Sequence, residues 1–460
     1  MPYCLHPDTR LRPESETLLW FHRRTAETLE LDAEGIDALG RLLQGRRNWR
    51  PRAWMFFQYL WAKGFLVQTS DAKLRQKHFA HLQDLNAQCQ RMQSPLRSRS
   101  APEVLQLSIT DACQQSCSGC FFSNTDPQTP NRYMSPGTFK RVLQDAIDNQ
   151  VFQMAFGGGE PLMNPRLVSF VQATTEAGIV ANLTSNGALL TDDMAKALAH
   201  AGLGQIQFSL NGADAQTHQQ TRPHHDKVLA AIQTAKRHRL RWGLNILVTT
   251  AHLAEEAKAL QALFAFAHAQ GAAMVNLIRP KAAQDDAHWL AEHQPDASGH
   301  QQLAKIIQHW HKRAHFTLVT DTSYTFLRHP DFSIGKSKNS GFLSHILRQP
   351  HPTQQVERLR AAGVTGCSAG RQMLSVQVDG RYSPCSHLPE TFQANGDLQT
   401  LWQNSAQLKA FRELEETLED ECQHCELKSI CRGCRAVVLS EGRSFFGADH
   451  QCPKRLSTLP

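Results

Sequence analysis

No run of this 460-residue chain approaches the ~18 consecutive apolar residues of a membrane span, although 41% of its residues are hydrophobic. Its opening, Met1-Pro-Tyr-Cys4-Leu-His6, lacks the basic-then-apolar layout of an export signal. A cytoplasmic protein with no membrane partner is the expectation. A strong charge of one sign is missing too. The formal net charge is +7, spread along the chain, and gives no reason to expect a nucleic-acid partner. What is abundant is cysteine: twelve residues, most of them in tight groups. In a chain without an export signal, such groups favour metal or cluster ligation over disulfides.

The length suggests about two to four domains. Residues 1–70 read as a small domain. Thr17–Phe21 and Thr28–Leu31 look like a hairpin, and Asp32 can cap a helix whose Ile36, Leu39, Leu42 and Leu43 share one face. A second helix should run from Pro51 to Lys63, stopped by Gly64, with Phe65–Gln68 closing the unit as a strand. These are the parts of a winged helix. Residues 71–102 read as a linker helix with Leu74, His78, Leu82, Leu85, Cys89 and Met92 in a stripe, then a basic tail. Cys89 on that stripe belongs to a core, and Cys4 reads as free or structural.

From 103 to 300, six apolar strands alternate with amphipathic helices: Leu105–Thr110, Gln153–Phe156, Ile179–Ser185, Ile206–Asn211, Trp242–Thr249 and Ala273–Ile278. Repeated βα units predict an α/β fold, a partial (β/α)6 barrel of the TIM type with ligands at the carboxyl ends of its strands. A polar connector, 301–365, holds a helix at His300–His315, a strand at Thr317–Thr320 and a loop at Gly335–Gly341.

Just after the first barrel strand stands Cys113-Gln-Gln-Ser-Cys117-Ser-Gly-Cys120. Three thiolates at this spacing can hold three corners of a [4Fe–4S] cube and leave the fourth iron without a protein ligand. A three-Cys zinc site is the plainer alternative. After the second strand comes Phe156-Gly157-Gly158-Gly159-Glu160-Pro161, where glycines allow close backbone approach and Glu160 offers an anion for an ammonium group.

Together, triplet and GGE resemble the radical SAM superfamily, over residues of about 105 to 280. The resemblance implies S-adenosylmethionine (SAM) on the open iron, cleaved by one electron to a 5′-deoxyadenosyl radical that abstracts a substrate hydrogen. It also implies a donor such as flavodoxin or ferredoxin. Carried over by position, Gly157, Gly158, Gly159 and Glu160 contact SAM, and so do Thr184, Ser185 and Asn186. Ser209, Asn211 and Arg222 follow, with Leu247 and Val248 flanking adenine. The family usually has a bulky residue before the third cysteine. Here it is Gly119, with Phe121 the expected replacement.

Seven cysteines follow residue 366: Cys367, Cys385, Cys422, Cys425, Cys431, Cys434 and Cys452, with Gly380 at a hairpin turn. A zinc ribbon accounts for four of them. Their order resembles the SPASM domain of radical SAM peptide maturases, which carries two auxiliary Fe–S clusters, here expected over 366–460. The family pattern assigns Cys422, Cys425, Cys431 and Cys452 to one cluster, and Cys367, Cys385 and Cys434 to the other. Three [4Fe–4S] clusters are then expected in all. Cys431-Arg-Gly-Cys434 has one residue fewer between its cysteines than is usual.

Residues 1–70, through Leu11-Arg-Pro-Glu14, Leu29-Glu-Leu-Asp-Ala-Glu-Gly35 and Ala62-Lys-Gly64-Phe-Leu66, resemble the leader-peptide recognition element of ribosomal peptide natural products. The type case is the accessory protein of pyrroloquinoline-quinone biosynthesis. That family binds a leader as an added strand on a sheet edge. The expectation is a maturase that crosslinks a ribosomal precursor peptide through a carbon–carbon, thioether or ether bond. Action on a tetrapyrrole or other small molecule, or formylglycine formation on a protein, is the alternative within enzymes. A metal-bearing DNA-binding regulator is the alternative outside them.

Overall fold

The computed structural model describes residues 2–46, 51–92, 99–122, 132–281, 287–311, 313–321, 367–388, 394–425, 428, 431–449 and 451–452. It divides into two compact units, Met1–Ala101 and Pro102–Pro460.

In the first unit, β1 (Tyr3–Leu5), β2 (Thr9–Pro13), β3 (Leu18–His22) and β4 (Glu27–Leu31) precede α1 (Ala33–Leu43), α2 (Pro51–Ala62), β5 (Leu66–Gln68) and α3 (Ala72–Arg91). The expected hairpin is β3–β4. It gains β2 on its other side, giving an antiparallel order β2-β3-β4, while β1 pairs with β5. Neither β1 nor β2 was expected. Asp32 caps α1 as anticipated, accepting from Gly35 N at 2.8 Å.

β3 is buried along its whole length, and Trp20 packs with Ile36, Leu39, Phe57, Leu60 and Phe65. The helix expected as a linker instead lays Leu82, Leu85 and Cys89 into this core. The Cys89 thiol donates to Thr17 O at 3.0 Å. A buried ion pair, Arg12 with Glu14 at 2.9 Å, ties in the end of the unit. Arg12 Nη2 donates to Ala101 O, and Ser100 N donates to Glu14.

The second unit alternates β6 (Val104–Thr110), α4 (Pro136–Asp148), β7 (Gln153–Gly158), α5 (Leu167–Glu176), β8 (Val180–Ser185), α6 (Asp192–His200), β9 (Gln205–Ser209), the short α7 (Ala215–Gln219), α8 (His225–Arg237), β10 (Trp242–Leu247), α9 (Thr250–Gln270) and β11 (Met274–Ile278). β6 to β11 lie side by side in chain order, all parallel. Sequential order is the winding of a barrel rather than of a doubly wound sheet. The fold is an α/β partial barrel.

Three strands extend it beyond the expected six. After α10 (Ala287–His293) and α11 (Ala297–His311), β12 (Thr317–Thr320) pairs in parallel with β11, so this piece of the expected connector belongs to the sheet. On the opposite edge, β13 (Met373–Val376) pairs in parallel with β6 and turns at Gly380 into β14 (Tyr382–Ser383). The Gly335–Gly341 loop lies outside the described residues. No helix among the described residues is long and apolar enough to cross a membrane.

Candidate active site

The cysteine triplet leaves the carboxyl end of β6. Cys113 is exposed, Cys117 and Cys120 are half-buried, and Cys113 lies within electrostatic reach of the other two thiols and of Glu160. Burial raises the Cys117 thiol pKa, against the pull of Arg222.

The glycines that end β7 hold this loop by contact. A Cβ at Gly158 would lie 2.2 Å from Thr110 O, and one at Gly159 would lie 2.2 Å from Ala112 O. With only hydrogens there, Gly159 N donates to Thr110 O and Glu160 N to Ala112 O, at 2.9 and 2.7 Å. Their freedom serves the backbone that presents Cys113.

Glu160 was expected to reach a ligand ammonium. Its side chain is enclosed in this structure, accepting from Leu162 N (3.0 Å), Ser185 Oγ (2.8 Å) and Asn186 N (2.8 Å). Burial raises its pKa, opposed by those donors and by Arg222. The carboxylate therefore locks the end of β7 to the end of β8. Asn186 passes the lock on: its amide meets Gln114 at 3.1 Å and Cys113 Sγ at 3.9 Å. Thr184 remains exposed beside it.

Asn211, also expected at the ligand, is a buried hub. Its Nδ2 donates to Thr221 Oγ1 (2.8 Å), its Oδ1 accepts from Leu247 N (3.0 Å), and its carbonyl meets His252 Nε2 (2.7 Å). Thr221 O in turn accepts from Ser118 N within the cysteine loop. Ser209 is buried, and Val248 belongs to the hydrophobic core, while Leu247 keeps partial exposure. Strand alternation separates the two expected adenine neighbours: Val248 packs inward. Phe121 does not fill the place of a side chain at 119. Its ring lies against that of His387, with centroids 3.8 Å apart and planes tilted by 36°.

Sequence reading missed His218, which accepts from Asn211 N on Nδ1 and bonds Pro223 O through Nε2. Burial lowers its pKa to about 4. Protonation would break the Asn211 bond. The folded state binds the proton less readily than the unfolded chain, so stability should fall as pH drops from about 6.5 towards about 4, then level off. Urea midpoints across that range check this, and a His218→Gln variant should show a shallower slope.

The later cysteines form two sets. Cys367, Cys385 and Cys434 interact electrostatically with one another, and Cys422 interacts with Cys425, Cys431 and Cys452. Burial pushes Cys385 up to about 12 and Cys422 up to about 11. Around the first set stand Arg279, Lys281, Asp321 and Asp449, which sequence reading missed. Lys281 Nζ donates to Asp321 Oδ2 at 2.6 Å, and Arg279 pairs with Asp449 at 3.0 Å. Asp449 also accepts from Cys434 N at 2.8 Å. Burial would raise the Asp321 pKa, but Lys281 and Arg279 outweigh it and hold it at about 2. His387 Nδ1 lies 3.5 Å from Cys385 Sγ. The signal was a pair of cations directly after an apolar strand, Arg279-Pro-Lys281.

None of the twelve cysteines forms a disulfide. Among the described residues, no three His, Cys, Asp or Glu side chains close to the spacing of a single metal ion. Soft all-sulfur sets of three, three and four suit iron–sulfur clusters, in which each thiolate binds a different iron.

Comparison with known proteins agrees. Residues 107–262 match the Radical SAM superfamily, and 367–426 match SPASM, an iron–sulfur cluster-binding domain. The chain thus carries a radical SAM domain and, C-terminal to it, a SPASM domain. It is 23% identical to the AdoMet-dependent heme synthase of Methanosarcina barkeri, over 77% of this chain and 97% of that protein. It is 25% identical to the mycofactocin maturase MftC of Mycobacterium tuberculosis, over 77% of this chain and 84% of that one. Its fold is similar to that of Streptococcus suis SuiB, crystallised with the precursor peptide SuiA. There the TM-score is 0.65 and the identity 16%, covering 98% of this chain and 99% of that one.

Proposed function

We propose that this chain is a peptide maturase that binds SAM and oxidatively modifies, by crosslinking, a ribosomally made precursor peptide. The observation that carries the reading is the first unit. Its three-stranded sheet ends at β4, which pairs on one side only among the described residues, and α2 exposes Trp54, Met55, Tyr59 and Trp61. Tyr59 and Lys63 both reach Glu27 on β4, placing this aromatic helix at the sheet's edge. An open edge beside an aromatic face suits capture of an extended peptide. The likeness to MftC and SuiB supports the same reading.

We assign Cys113, Cys117 and Cys120 to the SAM-binding cluster. Cys367, Cys385 and Cys434 hold one auxiliary cluster, and Cys422, Cys425, Cys431 and Cys452 the other. When bound, these clusters supply one-electron chemistry: cleavage of SAM at the first and removal of a substrate electron at the others. The electron donor is a flavodoxin or ferredoxin, in a reducing cytoplasm. The chain's own residues position and exclude. Glu160 and Asn186 fix the backbone beside Cys113, Arg222 offers a cation near Cys117 and Glu160, and the Asn211–Thr221 pair holds the loop at Ser118. Leu247 and Thr184 present the accessible side chains at the strand ends.

Removing residues 1–101 should weaken peptide binding at least tenfold while SAM cleavage without peptide continues. The cut follows α3, because its stripe completes the core of the unit. Unchanged peptide affinity would remove leader capture from the account. The likeness to heme synthase favours a second reading, modification of a tetrapyrrole. Turnover of a tetrapyrrole without any peptide would establish it.

A further inference from the structure

The loop carrying Cys117 and Cys120 turns at Gly119, with φ of +69°. A Cβ built there would lie 2.1, 2.4 and 2.5 Å from Cη2, Cζ2 and Cζ3 of Trp289. Such distances lie far inside van der Waals contact, so the indole fills the space that any side chain at 119 would need. Trp289 sits on α10, outside the stretch that matches the Radical SAM superfamily. It is almost fully buried, and its ring stacks on His293 at 4.5 Å with planes 11° apart. The His293 ring also bonds Trp289 O at 2.8 Å, which restrains the pair further. On its other flank the loop is held by Ser118 N donating to Thr221 O at 3.0 Å. The turn between the second and third thiols is thus fixed from two sides.

We propose that Trp289 is a positioning residue for the cluster loop, supplying from a distant helix the bulk that the loop lacks at Gly119. The proposal rests on Cys113, Cys117 and Cys120 as cluster ligands. A loose loop would let the Cys120 sulfur wander, and misplacements of about 1 Å can cost on the order of 100-fold in rate. It also leaves Phe121 to pack against His387 beside Cys385.

The test is a double-variant cycle on the reconstituted full-length protein, with Gly119→Ala, Trp289→Ala, both together, and Trp289→Phe. SAM affinity, the electron paramagnetic resonance change on adding SAM, and the rate of cluster bleaching in air are measured. Trp289→Ala should weaken SAM binding about tenfold and hasten bleaching, and Trp289→Phe should recover most of both. Gly119→Ala should be severe in the native background and clearly milder in Trp289→Ala, where the obstructing ring is gone and only the backbone strain of a side chain at φ +69° remains. Additive effects, or a Trp289→Ala protein identical to the parent, would overturn the proposal. If Trp289→Ala does not fold, native SAM affinity in both Gly119→Ala and Trp289→Phe would overturn it equally. Failure of the ligand reading looks different: the parent protein itself would then show no SAM-induced resonance change.

Discussion

With three clusters as proposed, replacing Cys113, Cys117 and Cys120 together with Ala is expected to abolish SAM cleavage and to lower bound iron from about twelve to about eight atoms per chain. The loss should be complete, because these three are the only cysteines in the loop sequence from 111 to 122. The remaining iron is expected because the two later thiol sets belong to separate parts of the chain, each with its own burial and partners. These substitutions remove thiols that are exposed or half-buried, so the barrel core stays intact. Iron analysis and 5′-deoxyadenosine release after anaerobic reconstitution check it. Continued SAM cleavage would take the triplet out of the reaction.

The second large effect is expected at a buried ion pair. Arg279 is 3% exposed and Asp449 1%, and their contact joins the end of β11 to the backbone of Cys434. Asp449 also accepts from Gln451 N, one residue before Cys452. An Asp449→Ala variant takes one carboxylate from the buried Arg279 guanidinium, which keeps Asp321 at 3.5 Å, and removes the acceptor of the Cys434 amide. Breaking a buried pair from one side typically costs about 3–5 kcal/mol. The urea midpoint should fall accordingly, and the iron held by the later cysteines should be lost while SAM cleavage at the first triplet persists. A variant with full iron content and parental stability would show that the pair contributes little.

Much of this was legible in the sequence because it is local. Cysteine spacing put the triplet and the later cysteines in order, and the apolar strands announced the barrel one βα unit at a time. Asp32 read as a cap because capping is a contact across three residues. What escaped is tertiary. β2, Thr9–Pro13, carries two arginines, and its Arg12 is buried only because Glu14 and Ala101 answer it. Arg279 and Asp449 lie 170 residues apart, and nothing in either neighbourhood names the other. The gap at Gly119 was visible as a departure. Its filler, on a helix long after the loop, was not, and the obvious neighbour Phe121 turned elsewhere. Glu160 and Asn211 were found for their position, while their bonds to the neighbouring strand ends, at Ser185, Asn186 and Leu247, are tertiary and were not.

The most direct measurement is the mass of a candidate short precursor peptide after anaerobic incubation with the reconstituted chain, SAM and a reductant. The account predicts a peptide lighter by two hydrogens per crosslink, formed together with 5′-deoxyadenosine and only when residues 1–101 are present. A peptide of unchanged mass, with 5′-deoxyadenosine released at the same rate whether or not peptide is added, would contradict it.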